Sequence, residues 1–222
     1  EKSHRPGETL AHEIGHAFHS WLVRDLSFVQ KNYTHSLAET ASVFGETVFT
    51  DFLLQQATSK EEKISMLWNE LMRGYAFMIN IPARYELETQ LNEERMKGPL
   101  TAEKVTALNK AAWEKWYKDS LTEMDEMFWA WKGHFYSTYS TFYNFPYTFG
   151  YLFSLSIYAT QKTSGPDFFN NFKNILRDTT CLSAEEIIQK HLGQDISKID
   201  FWEKPILSIL EKQKELKSLL QN

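Results

Sequence analysis

Cysteine is almost absent from this sequence. The 222 residues include a single one, Cys181, which excludes an internal disulfide framework and fits a reducing compartment. Long hydrophobic runs are absent too, since none approaches the roughly 20 residues of a membrane-spanning helix. A signal-peptide pattern does not open the chain. We therefore expect no membrane partner.

Basic stretches are also missing, because Lys and Arg are interspersed with acidic residues. The net charge is −5 and the sequence pI is about 5.8. A nucleic-acid-binding surface needs clustered positive charge, so we expect no nucleic-acid partner. With 42% hydrophobic residues, the chain can bury a substantial core. We expect a single domain over residues 1–222.

Strand signals are weak throughout, because β alternation with turn pairs such as Asn-Gly does not occur and no repeat is visible. Apolar residues instead recur at helical spacing, and capping and stop signals divide them into segments. Pro82 predicts a kink or a break. The chain is predicted to be all-α, with helices over about 8–29, 37–54, 60–80, 83–97, 102–117, 121–132, 146–160, 167–178, 183–193 and 200–220.

The stretch Thr9–His19 contains the pattern His-Glu-x-x-His. On a helix, His12 and His16 lie one turn apart on the same face, and their imidazoles converge on one point. A catalytic zinc ion takes two such nitrogens, a third protein ligand and a water molecule. Glu13, beside the first histidine, can act as the general base for that water.

The context of the motif favours a metal site over a chance pattern of polar residues on a helix. Gly15 lets another backbone approach closely, and the flanking residues are apolar, which predicts that this helix is buried. Two buried histidines and a Glu are costly unless a metal or hydrogen bonds satisfy them. We interpret His19 as a second-shell or packing residue rather than a ligand.

The third ligand has four candidates after the histidine pair. Asp25 is more than two turns beyond His16 on the same helix, too far to reach the same ion. His35 is in a connector, where a solvated histidine is common. We favour Glu39 as the ligand over Glu46, whose predicted role is to accept a hydrogen bond from a ligand imidazole and fix its tautomer.

Stabilisation of the tetrahedral oxyanion in peptide hydrolysis needs hydrogen-bond donors. An aromatic-rich region supplies them in His134, Tyr143 and Tyr147. The alternative for these side chains is an aromatic core, which is the commoner role of any one tyrosine.

These motifs resemble the oligoendopeptidase F family, which is related to thimet oligopeptidase. The resemblance rests on Thr9–His19, Leu37–Glu46 and Phe142–Tyr151, and it extends over about residues 8–215. It implies one zinc ion per chain, bound by a set of three side chains, with a base and a supporting carboxylate. The three zinc-binding side chains would be His12, His16 and Glu39. Glu13 would be the base, and Glu46 would be the supporting carboxylate.

The resemblance also implies that His134, Tyr143 and Tyr147 bind substrate and stabilise the oxyanion, with Tyr139 and Tyr151 as competitors. Family members are mostly helical, with a channel between two lobes that admits short peptides. By this resemblance the chain is the C-terminal catalytic lobe, a fragment lacking the N-terminal helical lobe, and bacterial members are usually cytoplasmic.

We therefore expect a zincin-like, zinc-dependent endopeptidase that hydrolyses oligopeptides with Glu13 as general base. One alternative is a zinc exopeptidase, carboxypeptidase-like or aminopeptidase-like, in which Arg84 binds a free terminus. Another is a non-catalytic helical module that binds peptides, although a structural zinc site usually recruits cysteine.

Overall fold

The fold is built from helices. The computed structural model describes residues 5–139 and 141–221; it is 77% helical, and the part it describes contains no strand. The prediction of an all-α chain is confirmed. The helices are α1 (Arg5–Leu22), α2 (His35–Ala38), α3 (Thr40–Gln56), α4 (Lys60–Tyr75), α5 (Ile81–Arg95), α6 (Ala102–Tyr117), α7 (Phe128–Trp131), α8 (Phe145–Ala159), α9 (Gln161–Ser164), α10 (Phe168–Asp178), α11 (Ala184–Leu192) and α12 (Ile199–Gln221).

Several helix ends lie where local chemistry predicts them. Thr101 caps α6 by accepting a hydrogen bond from the backbone N–H of Lys104 at 3.3 Å. Ser183 and Glu186 form a reciprocal capping box at the start of α11. Such caps satisfy backbone N–H groups that have no partner inside the helix, so these boundaries follow from the sequence.

Pro82 does not interrupt the helical backbone. A π-helical segment, Ala76–Asn80, precedes α5, and Pro82 occupies the first turn of that helix. The helical backbone continues through the π-helical segment into α5, and the Phe77 carbonyl, five residues before Pro82, accepts from the Thr148 hydroxyl at 2.5 Å in place of the N–H that proline lacks.

Two predicted helices are shorter in the structure. α1 ends at Leu22, and the segment predicted over 121–132 is helical only at Phe128–Trp131. In that segment the Asp125 carboxylate accepts the Met127 N–H at 3.0 Å, and its carbonyl accepts from Asn109 at 3.0 Å. These bonds compete with helix formation before residue 128.

The chain forms two compact units, each with its own core. Unit 1 takes in Glu1–Met72 and Phe149–Asn222, and unit 2 is Arg73–Thr148. The unit 1 core lies between α1, α3, α8, α10 and α11 and includes Phe44, Phe153 and Ile187. The unit 2 core is formed by α5, α6 and α7 around Leu87 and Trp113.

The prediction that α1 is buried all round is wrong. Leu10 and Ile14 are 61% and 57% exposed, whereas Gly15 and His19 on the other side are buried. α1 therefore packs against the core of unit 1 with one face only. Among the helices that the structure describes, none is both long and apolar enough to cross a lipid bilayer.

Candidate active site

The two histidines of the His-Glu-x-x-His motif lie on one face of α1. Their Nε2 atoms are 3.1 Å apart, and the rings meet edge to face with centroids 4.7 Å apart. Both side chains are half-buried. Helical spacing alone brings the rings together, so two nitrogen donors point at a common position.

The carboxylate of Glu39 forms the third corner of a triangle with these imidazoles. Its Oε2 lies 3.5 Å from His12 Nε2 and 3.6 Å from His16 Nε2. Glu39 separates α2 from α3, with φ −82° and ψ −1°. The helix predicted over 37–54 is therefore interrupted at the residue that supplies the carboxylate.

Ser42 holds this carboxylate in place. Its side chain is fully buried, and its hydroxyl donates to Glu39 Oε2 at 2.8 Å and to the Glu39 carbonyl at 3.1 Å. A side chain that bonds both the carboxylate and the backbone of one residue restricts the rotation of that carboxylate. Ser42 was not predicted from the sequence. Its position three residues after Glu39 does indicate that the two side chains can meet on one helical face.

Two glycines allow α1 and α3 to pack closely enough to form the triangle. A Cβ on Gly15 would lie 2.5 Å from the Cα of Ser42, and one on Gly45 would lie 2.7 Å from the Ala11 carbonyl oxygen. These are backbone atoms that cannot move as a flexible side chain does. The close approach expected at Gly15 is thus observed, and it brings Glu39, just before α3, and Glu46, within α3, to the histidines of α1.

Gly15→Ala should destabilise the protein by about 3 kcal/mol or more, because extra atoms in a close-packed contact typically cost about 1–3 kcal/mol and here the obstacle is backbone. Urea unfolding in the presence of a chelator measures this. Gly133→Ala is the matched control, since a Cβ there meets nothing within 4 Å. Equal stability of the Gly15 variant and the native protein would contradict the packing argument.

Glu46 lies on the far side of His12 from the triangle. Its Oε1 accepts from His12 Nδ1 at 2.5 Å. The hydrogen bond to Glu46 raises the pKa of His12, against the lowering effect of burial. With the proton on Nδ1, the Nε2 lone pair is available to a metal ion. The predicted hydrogen bond from a ligand imidazole is present, and the supporting role of Glu46 at a metal site stays a prediction.

The donor triangle fits a zinc ion. Bonds of about 2.0–2.1 Å in tetrahedral geometry place ligand atoms about 3.3 Å apart, and the observed separations are 3.1, 3.5 and 3.6 Å. His12, His16 and Glu39 also form a group whose ligand atoms lie within 4.8 Å of one another. Two imidazoles and one carboxylate leave a fourth position for water, as in catalytic zinc sites.

Glu13 follows His12 on α1, and its side chain is exposed. An exposed carboxylate on the residue next to His12 is accessible to water and can exchange protons with it. Its role as general base stays a prediction.

His19 is a packing residue. It is fully buried, its ring stacks on Tyr33 with centroids 4.1 Å apart, and its Nε2 donates to the Leu176 carbonyl at 3.0 Å. Nδ1 is buried and has no hydrogen-bond partner in the described part of the chain. Burial lowers the pKa of His19 from 6.5 to about 4, which keeps the ring neutral.

The lowered pKa of His19 predicts a loss of stability in acid. Between pH 6.5 and 4 the unfolded chain binds a proton on this residue that the folded chain does not. Stability therefore falls as the pH falls through this window, by about 2 kcal/mol at pH 4.5. Urea unfolding with a chelator at pH 7 and pH 4.5 measures the loss. His19→Gln, which cannot titrate, should reduce it, and an unchanged pH dependence would contradict the assignment.

The predicted oxyanion residues form a cluster in unit 2. His134 lies in a 3-10 segment, Gly133–Tyr136, and its ring centroid is 4.7 Å from that of Tyr143. The Tyr147 hydroxyl, on α8, lies 3.4 Å from the Tyr143 hydroxyl. All three side chains are half-buried. The structure thus gathers one imidazole and two phenol hydroxyls into a single group.

The two competing tyrosines differ from this cluster in exposure. Tyr139 is 100% exposed, whereas Tyr151 is fully buried in unit 1. A side chain that binds substrate needs both access and support, which half-buried groups provide. The geometry therefore favours Tyr143 and Tyr147.

The model of a protein family described as Peptidase family M3 matches residues 3–205. The chain belongs to peptidase family M3.

Two comparisons connect this M3 chain to the predicted group. It is 28% identical over 221 residues to the chromosomal oligoendopeptidase F of Lactococcus lactis subsp. cremoris, a match that covers 96% of this chain and 35% of the relative. The crystal structure of oligoendopeptidase-F from Enterococcus faecium has the same fold, with a TM-score of 0.78 and 24% identity over 96% of this chain and 39% of that chain. The resemblance inferred from the motifs is confirmed.

A third match shows the same coverage. A crystal structure from Chlamydophila abortus aligns with a TM-score of 0.82 and 27% identity, over 96% of this chain and 36% of that chain. The M3 chain therefore spans little more than a third of the length of these three proteins.

The other candidates lie in different surroundings. Asp25 pairs with Arg177 through two hydrogen bonds of 2.9 and 3.0 Å, and His35 is exposed at the start of α2. The Arg84 guanidinium lies over the Phe128 ring at 5.1 Å, and burial lowers its pKa. A guanidinium packed on an aromatic ring inside unit 2 does not favour the exopeptidase alternative.

Proposed function

We propose that the chain is the catalytic part of a zinc-dependent endopeptidase that hydrolyses short peptides, with one zinc ion per chain. The observation that carries the proposal is the convergence of three donor atoms, from His12, His16 and Glu39. Glu13 lies on the same helix as the two histidines. Membership of family M3 and the similarity to oligoendopeptidase F support peptides as the substrate.

The protein side chains divide the chemistry between them. Zinc, when bound, acts as a Lewis acid that lowers the pKa of water and polarises a carbonyl group. Glu13 takes a proton from the attacking water and later gives it to the leaving amine. Glu46 holds the His12 ring by its Nδ1–H, and Ser42 holds the Glu39 carboxylate. Binding of the substrate and stabilisation of the oxyanion are shared among His134, Tyr143 and Tyr147.

Metal analysis together with a cleavage assay tests this function. The purified chain, dialysed against buffered zinc, should retain one zinc ion and cleave an internally quenched fluorescent peptide whose two ends are blocked. Blocked ends exclude an exopeptidase, which needs a free terminus. Zinc binding without cleavage in the full-length protein would favour the non-catalytic module instead.

We further propose that this domain works with additional polypeptide of the same protein, an N-terminal helical lobe, in the cytoplasm. The relatives are almost three times as long as the matched region, and Leu10, Ile14 and Phe52 are more than half exposed. Apolar surface in water costs about 25 cal/mol per Å². The longer protein should cleave the peptide faster than this chain alone and discriminate against folded substrates; equal behaviour of both would contradict the proposal.

A further inference from the structure

We propose that Asn144 and Glu88 are positioning residues that hold His134 with its ring proton on Nδ1 and leave Nε2 as a hydrogen-bond acceptor. The assignment of the proton follows from three contacts within unit 2. What the acceptor does for a peptide rests on the proposed function.

The Glu88 carboxylate determines which side of the Asn144 amide faces it. Glu88 lies on α5 and is 6% exposed. Its Oε1 accepts the backbone N–H of Phe142 at 2.7 Å, and its Oε2 accepts from Asn144 Nδ2 at 3.2 Å. An N–H group donates and does not accept. The NH₂ side of the Asn144 amide therefore faces Glu88.

The orientation of the Asn144 amide determines which nitrogen of His134 carries the proton. The Asn144 side chain is fully buried, and with its NH₂ directed at Glu88 its Oδ1 faces His134 Nδ1 at 2.9 Å. An amide oxygen only accepts hydrogen bonds, so Nδ1 carries the proton. In the neutral ring the remaining lone pair is then on Nε2.

The backbone beside Asn144 indicates that this network is built into the fold. Phe142 has φ +54°, in the left-handed region that costs a bulky residue about 1–2 kcal/mol. Its N–H is the group that Glu88 accepts at 2.7 Å. One buried carboxylate thus holds both a strained turn and the amide that orients His134.

The chemical consequence is a division of roles within the aromatic cluster. A neutral His134 with its proton on Nδ1 cannot donate from Nε2 to an oxyanion. It can accept an N–H from the backbone of a bound peptide. The donors to the oxyanion are then the hydroxyls of Tyr143 and Tyr147, which lie 3.4 Å apart.

Glu88→Gln tests this chain of hydrogen bonds, because it should reverse the donor and acceptor roles between residue 88, Asn144 and His134. A glutamine must keep its carbonyl on the Phe142 N–H, so its NH₂ faces Asn144. The Asn144 amide then turns over, its NH₂ faces His134, and the ring proton moves to Nε2. Long-range ¹H–¹⁵N correlation spectra of protein labelled with ¹⁵N-histidine, at about pH 8, distinguish the two tautomers. His134→Gln identifies the signal among the seven histidines.

The native spectrum should have the proton on Nδ1, and the Glu88→Gln spectrum should have it on Nε2. Glu86→Gln on the same helix is the matched control, since Glu86 bonds Lys115 and Gln90, and it should leave the tautomer unchanged. A native His134 protonated on Nε2 overturns the proposal, even if the Glu88 variant does not fold. An unchanged tautomer in a folded Glu88→Gln protein overturns it as well.

The spectra require neither metal nor substrate, so the result is independent of the proposed peptidase activity. In a protein that cleaves peptides, Glu88→Gln should raise KM about fivefold, the effect of one lost hydrogen bond, with a smaller change in kcat. A fall in kcat with KM unchanged would show that His134 acts on the oxyanion, and would overturn the acceptor role. Absence of cleavage by the native protein would contradict the proposed function alone.

Discussion

Glu13→Gln is expected to lower kcat for peptide hydrolysis by about 10²–10⁴-fold, the usual contribution of general acid–base catalysis. The amide has the shape of the carboxylate but cannot accept the proton of water. Glu13 is exposed on α1 and is not one of the three donors, so zinc binding and stability should not change. Cleavage of the quenched peptide and zinc content by atomic absorption, on the same samples, measure both properties.

Glu61→Gln is a suitable control for this variant, because it removes another exposed carboxylate of unit 1, in the first turn of α4. It should have native kcat. If Glu13→Gln retains turnover within about threefold of the native protein, a range too small for a lost general base, Glu13 is not the base. Loss of zinc from this variant would instead indicate that Glu13 supports the metal.

His16→Ala is expected to remove the metal site itself. Two donors remain, and the zinc affinity should fall by more than about 100-fold, which exceeds the 10- to 100-fold effect typical of residues that only support a ligand. Zinc should raise the melting temperature of the native protein, because a ligand that binds only the folded state stabilises it by about 2.7 kcal/mol at 100 times Kd. The variant should show no such increase.

Two further comparisons accompany His16→Ala. His35→Ala removes an exposed histidine of α2 and should retain native zinc affinity; a loss there would make His35 a ligand. Glu39→Gln should weaken zinc binding more than Glu46→Gln, since Glu39 Oε2 lies within 3.6 Å of both Nε2 atoms whereas Glu46 contacts Nδ1 of His12. The reverse order would exchange their roles.

Local features of the site and fold could be predicted because they depend on neighbours along the chain. His12 and His16 converge through helical geometry alone, as their Nε2 separation of 3.1 Å confirms. Thr101 and the Ser183–Glu186 capping box define helix starts through contacts that span three residues. The all-α class follows in the same way from the apolar spacing.

Predictions from the sequence were less accurate where a contact between residues far apart in the chain determines the structure. It predicted an unbroken helix through Glu39, whereas that residue is at the junction of α2 and α3, held by Ser42. It predicted a fully buried α1, but apolar periodicity alone does not determine which residues pack against that face. The orientation of His134 depends on Glu88 through Asn144, and Asn144 is 56 positions from Glu88.

The helical class, the pair of imidazoles and the carboxylate of Glu13 next to the first of them could be derived from the sequence, because each depends on neighbours within one or two helical turns. Contacts in the folded protein were needed to show that Glu39 lies against both imidazoles and to assign the ring proton of His134 to Nδ1. The carboxylate depends on the backbone contact of Gly15 and Gly45 between α1 and α3, and the proton depends on a buried acceptor on α5. Contacts between segments far apart in the chain arise from packing, and the spacing of residues does not encode them.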